Sequence, residues 1–315
     1  MLHFNRIPTN EDPDTMTLTE EIRLLQKQRN AIILAHNYQP ADVQDLADFT
    51  GDSLELARKA SAIQADVTVF CGVHFMAETA AILNPAKTVL IPDADAGCPM
   101  ADMLTGDQLR ELKAKHPGAK VLCYVNSTAD VKAESDCCVT SANAIEVAQS
   151  FPPDQEIIFV PDRHLGSYTA EKLERTFVLW PGFCPTHARM NERQIAEARA
   201  AHPGAPVLVH PECPKPVRDS ADAVLSTGGM CRYVLGRPET AFIIGTETGI
   251  LHRLQKENPG KTFYPLLEQA ICPNMKKITL EKVLWCLRDM QTVITVPEPI
   301  AHRARRSIEA MLAIR

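Results

Sequence analysis

The chain has 315 residues, a formal net charge of −6 at pH 7, ten cysteines, and 45% hydrophobic but only 5% aromatic residues. That length allows two or three domains, and the even mixing of acidic and basic residues argues against a nucleic-acid-binding face. Purely apolar runs such as Ala31–Ala35 are too short to span a membrane. Residues 1–15 lack the apolar stretch of a secretory signal and read as a loose leader, so a cytoplasmic location is expected.

From Thr17 onward the chain alternates helical patterns with short apolar strands. Thr17 caps a helix with acidic residues in its first turn. A strand at Ala31–Ala35, a loop, a helix from about Ser53, a strand at Val67–Phe70, a further helix and a strand ending in Ile91-Pro92 follow. The succession restarts at Thr105, with strands at Val121–Val125 and Ile157–Val160, a helix near Ser141, and a strand ending in Trp180-Pro181. It restarts again at Asn191, with strands at Val207–Val209 and Ala241–Ile244, a helix from Thr227, and a strand ending in Tyr264-Pro265. A fourth frame opens at Thr279 with the helix TLEKVLWCLRDM, expected to close the structure against the first repeat. The expected divisions are residues 1–104, 105–190, 191–278 and 279–315.

Residue matches carry the same repeat. His36-Asn37-Tyr38, Tyr124-Val125-Asn126 and His210-Pro211-Glu212 align at offsets of 88 and 86 residues. Asp48, Asp136 and Asp222 fall in that frame, as do Ser53, Ser141 and Thr227, and the peptide His-Pro-Gly-Ala occurs at His116 and at His202. Short apolar strands alternating with helices imply parallel sheets covered on both faces. The expected fold is therefore α/β: three homologous three-layer α/β/α domains in a pseudo-threefold arrangement. Parallel sheets bind ligands beyond the carboxyl ends of their strands, so three converging domains would share one central cleft.

Cytosolic cysteines stay reduced, and some of the ten are expected to bind metal. A Cys-Pro pair follows each third strand at Cys98, Cys184 and Cys272, spaced 86 and 88 residues apart. Three thiolates on an approximate threefold axis suit an iron–sulfur cluster with one iron lacking a protein ligand. Zinc is the rival, because Cys184-Pro-Thr-His187 has the spacing of half a zinc site. Cys213-Pro214 has the dipeptide but is out of phase, and Cys71, Cys123, Cys137, Cys138, Cys231 and Cys286 read as structural.

The first-strand loops bring His36, Tyr38, Tyr124, Asn126, His210 and Glu212 to the cleft, a mixture suited to general acid–base steps. Ser53, Ser141, Ser226 and Thr227 stand at helix starts. They read both as ordinary N-caps and as places where free N–H groups and hydroxyls hold anions.

The motifs AHNYQ, DLADFTGDSLELAR, GVHFMAETA, IPDADAGCPMAD, CYVNSTADVKAESD, CVTSANA, GFCPTH, VHPECP, STGGM, GTETG and CPNMK stand in this order over nearly the whole chain. In them the sequence resembles the quinolinate synthase family, the A protein of de novo NAD biosynthesis. The resemblance implies a [4Fe–4S] cluster ligated by Cys98, Cys184 and Cys272. It implies condensation of iminoaspartate with dihydroxyacetone phosphate to quinolinate, with loss of phosphate and water. An L-aspartate oxidase or aspartate dehydrogenase would supply the imine. It also implies a pocket lined by His36, Tyr38, Tyr124, Asn126, His210 and Glu212, with Ser53, Ser141, Ser226 and Thr227 holding anionic groups. Within that set Glu212, Tyr38, Tyr124 and His210 are the expected catalytic residues. Some relatives carry a CxxCxxC run at the third ligand. Here Glu268-Gln269-Ala270-Ile271 precede Cys272, so a disulfide switch there is expected to be absent. His164 stands where the family pattern leads one to expect Asn, with no role attached.

Overall fold

A computed structural model describes residues 16–314, and the leader reading for residues 1–15 lies outside the described residues. The first unit runs α1 (Leu18–Gln28), β1 (Ala31–His36), α2 (Ala41–Leu46), β2 (Phe49–Gly51), α3 (Ser53–Ser61), β3 (Val67–Cys71), α4 (His74–Leu83) and β4 (Thr88–Leu90). The second runs α5 (Gly106–Lys115), β5 (Lys120–Tyr124), α6 (Ala129–Ala133), β6 (Cys137–Val139), α7 (Ala144–Gln149), β7 (Ile157–Val160), α8 (Arg163–Lys172) and β8 (Val178–Leu179). The third runs α9 (Glu192–Ala201), β9 (Val207–Val209), α10 (Lys215–Asp219), β10 (Ala223–Val224), α11 (Thr227–Val234), β11 (Ala241–Gly245), α12 (Ile250–Glu257) and β12 (Thr262–Pro265). Two helices, α13 (Leu280–Asp289) and α14 (Glu298–Ala313), end the chain.

Each unit is a wholly parallel four-stranded sheet with one topology, β2-β1-β3-β4, β6-β5-β7-β8 and β10-β9-β11-β12. The sequence reading expects three strands per repeat; the fourth is the short edge strand β2, β6 or β10. Two or three residues are too few to show a period of 2, and the helices before them span only five or six residues. The helix expected near Ser141 begins at Ala144, because Thr140 and Asn143 close a local turn first: the Thr140 N–H donates to Asn143 Oδ1 at 2.7 Å.

The repeat is physical at the level of single hydrogen bonds. Thr17, Thr105 and Asn191 each cap their helix by accepting from the backbone N–H three residues on, and Glu20, Gln108 and Gln194 return the bond as capping boxes. Each cap stabilises its helix by about 1 kcal/mol. Asp48, Asp136 and Asp222 tie the edge strand to the first strand, their carboxylates accepting from the N–H of Ile33, Val121 and Val207 at 2.8, 2.9 and 2.7 Å. A cation pairs each one: Arg23, Lys120 and Arg199. The His-Pro-Gly-Ala peptides end α5 and α9 with His116 and His202 as C-caps, and put Gly118 and Gly204 at φ of 90° and 82°. Any residue with a Cβ is strained there. Gly204→Ala is expected to lower stability by about 1–2 kcal/mol, read as a lower melting temperature with secondary structure unchanged.

The strands bury apolar side chains on both faces; every residue of β3 and β7 is buried. One core runs through all three units and takes in α13 and α14, and a smaller one including Ile195, Val207, Val217 and Ile243 lies within the third. The C-terminal segment reaches further than the closure onto the first repeat expected from sequence. While α13 packs along α1, α14 lies mainly on α6 and β6 of the second unit. Among the described residues no helix is long and apolar enough to cross a membrane.

Candidate active site

The carboxyl ends of the three sheets open on one cavity of about 70 Å³. Its walls include the first-strand residues His36 and Tyr38, Tyr124 and Asn126, and His210 and Glu212. The chain turns as it leaves β1 and β9, with the Gln39 N–H on the His36 carbonyl and the Cys213 N–H on the His210 carbonyl, both at 3.0 Å, and the turns bring both members of those pairs to the cavity. The two histidines are anchored alike: His36 Nδ1 accepts the N–H of Tyr38 at 3.2 Å, and His210 Nδ1 that of Glu212 at 3.3 Å. Burial, reinforced at His36 by the neighbouring His210, lowers both imidazoles to about 3. At neutral pH each is therefore uncharged and carries its proton on Nε2; His210 Nε2 donates to Ser141 Oγ at 3.0 Å.

Cys98, Cys184 and Cys272 reach the same cavity by three equivalent turns. After each Cys-Pro pair the chain makes a 3-10 turn, at Ala101–Met103, His187–Arg189 and Met275–Lys277. The cysteine carbonyl accepts from the residue four on, at 3.2, 2.9 and 3.3 Å. The turns also aim backbone N–H groups at sulfur: Ala101 and Met100 at Cys98, His187 at Cys184, Met275 and Asn274 at Cys272. Burial nevertheless raises all three thiols, Cys98 to about 12 and Cys184 well above its ordinary value. Three half-buried cysteines that share one cavity, with N–H donors toward sulfur, suit a cluster ligated by thiolates. The donor set fits the expected group.

A continuous hydrogen-bonded line crosses the cavity. Tyr124 O–H donates to Glu212 Oε1 at 2.5 Å, and Glu212 Oε2 lies 2.7 Å from His187 Nδ1. His187 Nε2 is 2.8 Å from Thr246 Oγ1, which is 2.6 Å from Tyr38 Oη. Burial alone would raise the Glu212 carboxyl. His187 and His210 beside it, and the hydrogen bonds from His187 and Tyr124, outweigh that and hold it well below the usual carboxylate range. Burial and the Glu212 charge push both phenols up. The site thus places the Glu212 carboxylate between two protonated tyrosines.

The anion-binding expectations divide. Ser53 and Thr227 are the first residues of α3 and α11 and line the cavity, as does Ser141 in the turn before α7. Thr227 Oγ1 accepts from Asn37 Nδ2 at 3.0 Å. Ser226 is not brought to the cavity wall; its hydroxyl caps α11, accepting the Gly229 N–H at 3.0 Å. Asn126 Oδ1 is buried with no hydrogen-bond partner among the described residues.

Sequence reasoning missed four residues that complete the site. His187 enters the sequence reading only through its zinc-like spacing from Cys184. Thr246 and Glu247 sit in the GTETG loop after β11, and Lys276 follows Cys272. Glu247 is buried and accepts the Cys272 N–H at 3.0 Å and the Gly249 N–H at 2.7 Å. Lys276 pairs with it at 2.9 Å and also donates to the Tyr38 carbonyl, so the third cysteine turn and the Tyr38 loop are tied together.

Comparison with known proteins gives the family. The family model described as "Quinolinate synthetase A protein" matches residues 20–313. A quinolinate synthase of Methanoregula boonei is 59% identical over 301 residues, covering 96% of this chain and 99% of the relative. One of Dehalococcoides mccartyi is 54% identical over 297 residues, covering 94% and 98%. One of Thermus thermophilus is 52% identical over 306 residues, covering 94% and 97%. With its three repeated sheets, its shared cavity and this full-length match, the chain belongs to the quinolinate synthetase A protein family.

Proposed function

We propose that this protein is a quinolinate synthase, condensing iminoaspartate with dihydroxyacetone phosphate to quinolinate with release of phosphate and water. Three equivalent Cys-Pro turns opening on the cavity that also holds Glu212 carry the reading. Cys98, Cys184 and Cys272 would hold a [4Fe–4S] cluster. When bound, it supplies a Lewis-acidic iron without a protein ligand.

The chain's own residues would bind the substrates and move protons. Helix-start N–H groups and hydroxyls at Ser53 and Thr227, with the Ser141 hydroxyl, hold the phosphate and carboxylates. Neutral His36 and His210 donate from Nε2 without adding charge. Glu212 takes a proton from carbon or nitrogen as imine formation, elimination and ring closure proceed, and Tyr124 and Tyr38 stand as donors on either side. Thr246 and His187 link Tyr38 to Glu212 and keep both ends of the line oriented. The imine is unstable in water, and an L-aspartate oxidase or aspartate dehydrogenase would produce it nearby.

Protein purified without oxygen is expected to be brown, to contain about four irons and four sulfides, and to form quinolinate from both substrates. Air should bleach it and stop turnover. An active anaerobic enzyme with stoichiometric zinc and no acid-labile sulfide would overturn the reading.

A further inference from the structure

His187 stands between one of the cluster cysteines and the cavity carboxylate. Its Nδ1 lies 3.1 Å from Cys184 Sγ and 2.7 Å from Glu212 Oε2. One ligand atom from each of the three residues falls within 4.8 Å of the others. Thiolate sulfur, imidazole nitrogen and carboxylate oxygen are the donors zinc takes, at about 2.3, 2.0 and 2.1 Å. Tetrahedral ligands at those lengths sit about 3.3–3.6 Å apart, so the triad needs only a small adjustment to close on an ion.

The surroundings are also those of metal ligands. With Nδ1 on the ion, His187 Nε2–H has Thr246 Oγ1 at 2.8 Å as its acceptor, and Tyr124 O–H already donates to the other Glu212 oxygen. Such outer partners fix the orientation of ligating imidazoles and carboxylates. Charge agrees too. One thiolate and one carboxylate neutralise a dication, whereas zinc on three thiolates would bury a net negative charge beside an ionised Glu212.

We infer that, in the cluster-free protein, Cys184, His187 and Glu212 bind one zinc ion, with the fourth position open to water. Zinc displaces the thiol proton of Cys184 on binding. Only Cys184 is shared with the cluster ligands, so the two metals exclude each other through that sulfur. The zinc form is also inert, because its carboxylate is engaged.

The test uses the full chain stripped of iron and sulfide by chelation without oxygen, titrated with zinc chloride and in parallel with cobalt(II) chloride. One equivalent should bind, and the cobalt form should show absorption from a single thiolate. Cys184→Ala, His187→Ala and Glu212→Gln should each weaken zinc by more than ~100-fold, the most that loss of an outer partner costs. Thr246→Val should weaken it ~10–100-fold. Cys98→Ala and Cys272→Ala should bind zinc as the parent does. Where His187→Ala melts early, His187→Gln carries the test. Separately reconstituted with iron and sulfide, His187→Ala and Glu212→Gln should form the cluster and Cys98→Ala should not. Zinc lost in Cys98→Ala or Cys272→Ala but kept in His187→Ala, or no stoichiometric zinc at all, overturns the inference. Neither readout involves turnover, so the result stands apart from the proposed activity.

Discussion

Cys98→Ala, Cys184→Ala and Cys272→Ala are each expected to abolish the cluster and turnover together, while Cys213→Ala and Cys138→Ala keep both. All five sulfurs are free thiols, so reactivity alone does not separate them; position does. Cys98, Cys184 and Cys272 open onto one cavity and receive backbone N–H groups from their own turns. Cys213 adjoins Glu212, yet its Sγ points into the core of the third unit, 3.6 Å from Met190 Sδ and from the Gly245 carbonyl. Cys138 lies under α14, with Ser307 Oγ at 3.4 Å. Removing either sulfur leaves a small packing defect worth about 1 kcal/mol. Iron and sulfide content, visible absorption and anaerobic quinolinate formation for the five variants decide the matter. If Cys213→Ala loses the cluster while Cys184→Ala keeps it, the sorting by repeat phase is wrong.

Glu212→Gln is expected to lower turnover by at least ~100-fold, a typical cost of losing a general acid–base group, with the cluster intact and substrates bound as well or better. A carboxylate held ionised in a buried cavity repels anionic substrates, so binding does not explain its presence. Proton transfer does, because elimination and ring closure need protons removed and delivered at fixed places. Glutamine keeps the volume and one acceptor for the Tyr124 hydroxyl but exchanges no proton at neutral pH. The competing role is orientation of His187 and His210, both of which contact the carboxylate. In that case Glu212→Gln would retain near-normal turnover and Glu212→Ala would mainly lower the melting temperature. Anaerobic kinetics, cluster absorption and melting curves of both variants separate the two roles.

The repeat frame was legible because it rests on residues whose local chemistry recurs. The caps at Thr17, Thr105 and Asn191 and the carboxylates at Asp48, Asp136 and Asp222 do the same job in every copy. The edge strands β2, β6 and β10 were illegible, being two or three residues long with no room for alternation. Within the site, residues tied to the frame were found by phase, down to the pairs at His36, Tyr124 and His210. His187, Thr246 and Lys276 have no like residue in the other copies, so phase was silent about them; Glu247 has one in Asp162, also a buried carboxylate two residues past its strand and accepting the N–H two residues on. The three-residue step from Cys184 to His187, and the polar GTETG loop directly after a buried strand, were the signals available. Ser226 reads from sequence both as a cap and as an anion holder, and the structure shows it as the cap of α11.

The carboxylates at Asp48, Asp136 and Asp222 stay the same in all three copies, while the second members of the three cavity pairs read Tyr38, Asn126 and Glu212. A ring of three identical chains must present the same side chain three times, and so offers a symmetric environment to whatever sits on its axis. Two unlike substrates joined head to tail into an unsymmetrical ring need an acid on one side and a base on another. Joining the copies in one polypeptide frees each third to mutate alone, so scaffold residues remain triplicated while the reactive ones specialise. On that view the covalent linkers at Thr105 and Asn191 are themselves part of the chemistry.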